Sequence, residues 1–254
     1  MPRDRRDFFY KKAKEEGFRS RAAFKLKQIN EKFKMIEKGD TVVDLGAAPG
    51  GWLQVAKELS GGKVVGVDIL AIEEIIGVDT IKGDIRLDRT IEKIRGMIKK
   101  DGADVVLCDA APNLSGSWSY DHARSIDLAT CAFECARKLL KNGGSFAVKV
   151  FQGDMFPDYL NKVRECFGKV QAFSPVASRK QSAEIYIIGK ELLTDAVKIN
   201  GEYAVKIEDI GANGDGIAKI NDFVVFVKYA RKGEELNIRI RFIKPNFAFG
   251  DRID

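Results

Sequence analysis

Val42-Val43-Asp44-Leu45-Gly46-Ala47-Ala48-Pro49-Gly50-Gly51-Trp52 reads as a buried strand, a loop of small residues and the start of a helix. Gly46, Gly50 and Gly51 are expected to let backbone approach a ligand, and a helix start offers free N–H donors. In open α/β sheets, ligands bind beyond the carboxyl ends of strands. A dinucleotide would want Gly-x-Gly-x-x-Gly, with the middle glycine beside a pyrophosphate. Here the loop is Gly46-Ala-Ala-Pro-Gly-Gly51, and Pro49 removes one N–H from any phosphate cradle. Asp44, ahead of the loop, suits a cationic amino group better than a phosphate.

Outward from this loop, short β-branched runs alternate with amphipathic stretches. Strands are expected at 41–45, 63–68, 80–83, 104–108, 145–150, 170–174 and 185–188. Helices are expected at 52–59, 91–100, 125–141 and 159–167. Such alternation predicts a parallel sheet with helices on both faces. The last two strands are joined by a short segment containing Pro175 with no helical pattern, so that pair is expected to be antiparallel. Beyond Glu191 the helical period stops. Strands at 203–207, 223–227 and 236–242, with the turn Gly211-Ala-Asn-Gly-Asp-Gly216 and another at Gly233, predict a small β-barrel. Two domains follow, residues 1–191 and 192–254.

The chain has 254 residues, 45% of them hydrophobic, enough for a substantial core. It has no apolar run of the ~18 residues that would cross a bilayer. The charged start Met1-Pro-Arg-Asp-Arg-Arg6 is not a secretory signal, so a cytoplasmic location is expected. Cys108, Cys131, Cys135 and Cys166 lack metal-knuckle spacing and are expected to be buried thiols; no metal is expected. The net charge of +6 is concentrated at the N-terminus, where residues 1–38 hold 13 Lys and Arg against 6 Asp and Glu. A cationic arm on a neutral body suits a polyanion, although a merely solvated terminus has the same composition.

Two later strand ends carry carboxylates. Asp68 closes Val64-Val-Gly-Val-Asp68 and is placed to accept from ribose hydroxyls. Asp84, in Lys82-Gly-Asp84, is placed to accept from an adenine amino group. With the phosphate-averse loop, they favour S-adenosylmethionine, which carries an ammonium and a sulfonium. Upstream, Ser20 is expected to cap a helix running to about Phe33, with Ala22, Leu26, Ile29 and Phe33 as its apolar stripe. Lys25 falls on the rim of that stripe, able either to reach a neighbouring cleft or to lie along the surface.

These pieces resemble, in order, the FtsJ/RrmJ-type RNA 2′-O-ribose methyltransferases across roughly residues 18–190. The matching segments are Ser20-Arg-Ala-Ala-Phe-Lys-Leu26, Asp44-Leu-Gly-Ala-Ala-Pro-Gly-Gly-Trp52, Cys108-Asp-Ala-Ala-Pro-Asn113, Phe146-Ala-Val-Lys-Val-Phe-Gln-Gly153 and Ser182-Ala-Glu-Ile-Tyr186. The resemblance implies a Rossmann-like α/β fold, a seven-stranded methyltransferase sheet with a reversed last strand. It implies a catalytic set of Lys25, Asp109, Lys149 and Glu184, and cofactor contacts from Gly50, Trp52, Asp68, Asp84 and Asp109. Lys149 is then the base or the group that orients the hydroxyl, with Asp109 steering its ammonium. Lys25 and Glu184 hold the ribose and the lysine geometry. The alternative for the four charges is a buried salt-bridge network without catalysis. Asn113 and Ser115 are expected to shape the substrate pocket, and His122 to lie on the surface.

An RNA surface is expected from Arg3, Arg5, Arg6, Lys11, Lys12, Lys14, Arg19 and Arg21, interleaved with Phe8, Phe9 and Tyr10, and from Arg179 and Lys180. The tail from about Ile199 resembles the TRAM domain, through residues 205–210, the 211–216 loop and residues 223–227, with Arg239, Arg241 and Lys244 as a possible basic stripe. By resemblance the combination is archaeal, the substrate a uridine in large-subunit rRNA or its ribosomal subunit, and the enzyme a monomer. A tRNA methyltransferase and a non-catalytic RNA-binding assembly factor are the other readings.

Overall fold

β1 (Val42–Leu45) is buried along its whole length because strands flank it and helices cover both of its faces. The computed structural model describes residues 8–179 and 182–253. The strands that join β1 are β2 (Val64–Asp68), β3 (Asp79–Lys82), β4 (Ala103–Cys108), β5 (Leu140–Phe151), β6 (Phe167–Phe173) and β7 (Glu184–Leu192), in the order β3-β2-β1-β4-β5-β7-β6. All pairings are parallel except those of β7, which runs against both β5 and β6. The reversed final strand expected from the short 174–184 connection is therefore present.

Period-two alternation sorts the strand residues between two cores. On one side Val43, Leu45, Val106, Phe146, Val148 and Ile187 meet α4 (Asp88–Met97), α5 (Trp118–Leu139) and α6 (Phe156–Arg164). On the other, Val42, Val105, Leu107, Ala147, Tyr186 and Ile188 meet α2 (Ala23–Phe33) and α3 (Gly51–Ser60). Ahead of them, α1 (Phe8–Glu15) packs Ala13 and Phe9 against Phe24 and Ala177. This helix was not anticipated, since its charged surface hides a short apolar stripe.

The tail folds as a second, curled sheet of β8 (Glu202–Lys206), β9 (Asp209–Ile210), β10 (Gly216–Ile220), β11 (Phe223–Val227), β12 (Glu235–Ile243) and β13 (Phe247–Ile253), in the order β8-β12-β13-β11-β10-β9. Val225, Val227, Ile238, Ile240 and Ala248 fill its interior. The expectation of three strands falls short of the six. β13 escaped because Gly250 interrupts its pattern; a Cβ there would lie 2.9 Å from the tip of the Ile238 side chain, which would have to shift.

Three local expectations are corrected. Ser20 does not cap α2; the helix starts at Ala23, and Ser20 uses its carbonyl to accept the Ala23 N–H in a preceding turn. α5 begins at Trp118 rather than 125, so its first two turns are the polar stretch that sequence pattern assigned to loop. His122 consequently sits inside that helix and is buried, not on the surface. Among the described residues no helix is long and apolar enough to cross a membrane, and no three His, Cys, Asp or Glu side chains group as metal ligands. Cys108 and Cys135 are buried thiols, whereas Cys131 and Cys166 are only half-buried.

Candidate active site

The carboxyl ends of β1, β4 and β5 and the start of β7 lie along one edge of the sheet. Because β7 is reversed, its first residue, Glu184, arrives beside the last residues of β5: Phe151 pairs with Glu184, and Lys149 with Tyr186. Residues directly opposite share a face, as do residues two apart. Lys149, Phe151, Glu184 and Tyr186 therefore project to the α2 side, where Lys25 in the first turn of α2 meets them.

Two ion pairs form there. Lys25 Nζ lies 2.6 Å from Glu184 Oε1. Lys149 Nζ lies 2.9 Å from Asp109 Oδ1 and donates to the Asp109 carbonyl at 2.6 Å. Lys25 and Lys149 are each only 8% exposed, so neither is a lysine lying along the surface. Tyr186, fully buried, donates its hydroxyl to Asp109 Oδ1 at 2.5 Å and stacks on Trp52. The Lys25 ammonium lies 5.7 Å from the Tyr186 ring centre. Tyr186 thus links the two pairs. The sequence signal for Tyr186 is its position two residues after Glu184, on the same face of β7.

Burial and charge compete at each member. At Lys149 burial acts to lower the pKa, but Asp109 and then Glu184 outweigh it and hold the lysine above its ordinary value. Burial acts to raise the Asp109 pKa, and the ammonium groups of Lys149 and Lys25 with the Tyr186 hydroxyl reverse that, leaving it below the usual carboxylate range. Burial pushes the Tyr186 phenol well up, with Asp109 and Glu184 adding to it. The resting site holds an ammonium, a carboxylate and a phenol.

Asp44 lies next to this network and is its counterpart without a partner. It is 1% exposed, and neither carboxylate oxygen accepts a hydrogen bond. Burial pushes its carboxyl well above the ordinary range, and repulsion from Asp109 and Asp68 adds to the shift. An unpaired buried carboxyl of this kind costs free energy that a cation would recover. The residues present fit a ligand with positive charge, such as an ammonium and a sulfonium, and fit a pyrophosphate poorly.

The loop after β1 is held in place by protein contacts. Gly46, at φ +75°, leaves no room for a Cβ, which would stand 2.5 Å from the Ala110 Cβ. Gly50, at φ +109°, starts α3 beneath Arg19 and Ile75. What lies against the missing Cβ positions of Gly46 and Gly50 is protein, so both glycines are fixed by close packing of the loop. Arg19 itself donates to the carbonyls of Pro49 (3.2 Å), Glu73 (2.7 Å) and Glu74 (2.7 Å), so it grips this loop instead of facing outward as part of an RNA arm. Arg21 likewise donates to the Ala177 carbonyl. Lys12 faces the Phe24 ring at 5.0 Å, while Lys11 and Lys14 are exposed. Arg3, Arg5, Arg6 and Lys180 lie outside the described residues.

The remaining expected cofactor residues divide by what occupies them. Asp68 accepts from the backbone N–H groups of Ala48 (2.9 Å) and Leu70 (2.8 Å), retaining lone pairs for a further donor. Asp84 is bound by Arg86 through both oxygens, which holds its carboxyl below the usual range. Trp52 is buried, and its Nε1–H is bonded to the Ala22 carbonyl at 2.8 Å. Its indole therefore belongs to the core, and only its backbone faces the loop. Asn113 and Ser115 lie in the loop between β4 and α5, where Asp121 accepts from the Ser115 N–H and hydroxyl.

The chain is similar to known proteins in sequence and in fold. Residues 18–192 match the FtsJ-like methyltransferase family model. The chain belongs to that family. Residues 196–253 match the TRAM domain. Among curated relatives of this FtsJ-like methyltransferase are proteins named ribosomal RNA large subunit methyltransferase E. That of Methanosarcina mazei is 64% identical, covering 99% of this chain and 94% of its own length. That of Methanothrix thermoacetophila is 57% identical over 100% and 99%. The Natronomonas pharaonis protein is 45% identical over 98% and 99%. A crystal structure of a ribosomal RNA methyltransferase from Plasmodium falciparum superposes with a TM-score of 0.64 at 27% identity, over 69% of this chain and 98% of that one.

Proposed function

We propose that this methyltransferase moves the methyl group of S-adenosylmethionine to a ribose 2′-hydroxyl of large-subunit ribosomal RNA, at a uridine, in the cytoplasm. The single observation that carries this reading is the meeting of two buried lysine–carboxylate pairs with the unpartnered Asp44 carboxyl at one sheet edge. A scaffold that only binds RNA has no use for such an edge, and the names of the relatives agree with the RNA class.

The donor, once bound, supplies an activated methyl carbon and departs as a neutral thioether. Asp44 faces its cationic part; Asp68 and Asp84 offer acceptors to its ribose and adenine, and the backbone of Gly50 and Trp52 with Asp109 completes the contact. Lys25 and Glu184 hold the acceptor ribose, so its oxygen stands in line with the methyl carbon, and positioning supplies most of the rate. Lys149 must first lose its proton to solvent. Its free amine then takes the 2′-hydroxyl proton as the new O–C bond forms, and Asp109 keeps Nζ aimed while stabilising the ammonium produced. Residues 192–254 form the RNA-gripping module.

Transfer of tritium from labelled donor to deproteinised large-subunit rRNA, compared with tRNA, tests the reading. Label is expected in the rRNA at one 2′-O-methyl site. Lys149→Ala is expected to reduce transfer on the order of a thousandfold with donor affinity nearly unchanged. Equal turnover by that variant refutes the base, and label in tRNA alone refutes the substrate.

A further inference from the structure

Beside the methyl-transfer edge lies an aromatic shelf that the chemistry above leaves unused. Trp118, at the first position of α5, is 52% exposed although two rings hold it. It lies at 16° to His122, with centroids 6.0 Å apart, and at 20° to Phe151, 6.1 Å apart. Phe151 follows Lys149 by two residues on the same strand and pairs in register with Glu184. Two residues of strand span roughly 6.5 Å, the scale of a single nucleotide between its sugar and its base.

The shelf is fixed before anything binds. Met155 donates its N–H to His122 Nε2 at 3.2 Å, and the ring packs so closely on Gly153 that a Cβ there would stand 2.7 Å away. His122 therefore cannot swing, and it anchors Trp118 one helical turn away. Asp121 accepts from Ser115 (2.8 Å) and Gly116 (3.2 Å), pinning the loop that leads into the helix. In the flanking segments Leu114 and Tyr120 are exposed at 69% and 57%, and Met155, whose N–H reaches His122, at 44%. Arg124, 5.5 Å from the Tyr120 ring, donates to the Asn113 carbonyl and keeps further N–H donors for an anion.

We propose that this shelf stacks the nucleobase of the ribonucleotide whose 2′-hydroxyl is methylated, with Arg124 toward its phosphate. A base has two apolar faces and a charged tether; Trp118 offers a rigid flat ring, and Arg124 on the same helix offers a cation with donors to spare. The inference rests on the methyl-transfer reading of the Lys149 edge and adds how the substrate is seated there. Trp118 is a stacking residue, not a proton carrier.

Two readouts test it separately from that reading. The chain has two tryptophans, and Trp52 is buried, so solvent-accessible emission comes from Trp118. Deproteinised large-subunit rRNA is expected to change that emission and shield it from acrylamide, with no turnover required; Trp118→Phe removes the signal. In the transfer assay, Trp118→Ala is expected to lower kcat/KM on the same RNA on the order of ten- to a hundredfold, the size of one lost base stack, with donor Kd unchanged and Trp118→Tyr restoring most of it. RNA that saturates the enzyme while leaving Trp118 fully open to acrylamide overturns the proposal. So does full turnover by Trp118→Ala, or a defect confined to intact ribosomal subunits, which would assign the shelf to a protein contact. A wild-type enzyme that quenches but transfers no methyl would sink the catalytic reading and keep the shelf.

Discussion

The sheet edge and the C-terminal barrel use the same ion-pair chemistry in opposite settings. At the edge, Lys25–Glu184 and Lys149–Asp109 have side chains no more than 16% exposed. On the barrel, Arg239–Glu202 and Arg241–Asp251 are at least 47% exposed, at comparable separations of 2.6 Å. Water screens the second group and leaves each pair worth about 0–1 kcal/mol. The first group has given up its hydration, so each charge depends on its partner, and removing one strands the other at about 3–5 kcal/mol. Equal distances therefore carry unequal consequences, and burial decides which pairs can shift a proton.

The sharpest way to break this contrast is the pH dependence of the chemical step. With Lys149 held above its ordinary value, the free amine is scarce at neutrality. The single-turnover rate is expected to climb about tenfold per pH unit from pH 6 to 9, roughly a thousandfold in all. Asp109→Asn removes the charge that raises the Lys149 pKa, so the rising limb should move to lower pH. A flat profile would make Lys149 an orienting ammonium instead of a base. Stability has the complementary form. The depressed Asp109 pKa contributes above the unfolded carboxylate value and is lost as pH falls through its folded one. The raised Lys149 pKa contributes below the unfolded lysine value and is lost as pH rises through its folded one. Between them the contribution is constant.

Next in size is the buried pair itself. Lys25→Met should cost about 3–5 kcal/mol in urea unfolding, and adding Glu184→Gln to it should return part of that loss. Strict additivity of the two changes would contradict the coupling. Tyr186→Phe removes one hydroxyl from a charged acceptor and keeps the ring on Trp52, so about 1.5–3 kcal/mol is expected, with a slower transfer step and unchanged RNA affinity. At the small end, Arg241→Met on the barrel should change unfolding by less than about 1 kcal/mol. A larger loss there would show that exposure is a poor guide to what a pair contributes.

The sequence was most informative where local physics and tertiary physics agree. β1 and its glycine loop, the strand runs of the sheet and the reversed β7 were all legible, because apolar runs, a proline and short connections leave few alternatives. Lys25, Asp109, Lys149 and Glu184 were named from a family resemblance, and the fold brings all four to one edge. What the chain hid were environments. Nothing in the sequence separates a histidine inside a helix from one ahead of it, so His122 was assigned to the surface and the start of α5 was placed late. Arg19 looked like any arm cation, although three carbonyls distant in sequence enclose it. The sign of the Lys149 shift was beyond reach for the same reason: it depends on angstrom distances to Asp109 that no spacing encodes.

The reversal of β7 also separates two things that evolution can alter. A strand running with its neighbours would be entered from the far side of the sheet; this one is entered from the side where Lys149 and Asp109 lie. The described part of the segment between β6 and Glu184, which includes the exposed Arg179, therefore leads to the same sheet edge as Lys149 and Asp109. Its length and charge can change while the Lys149–Tyr186 register stays as it is. The register that seats Lys149 and the surface beside it are thereby encoded in different stretches of one hairpin.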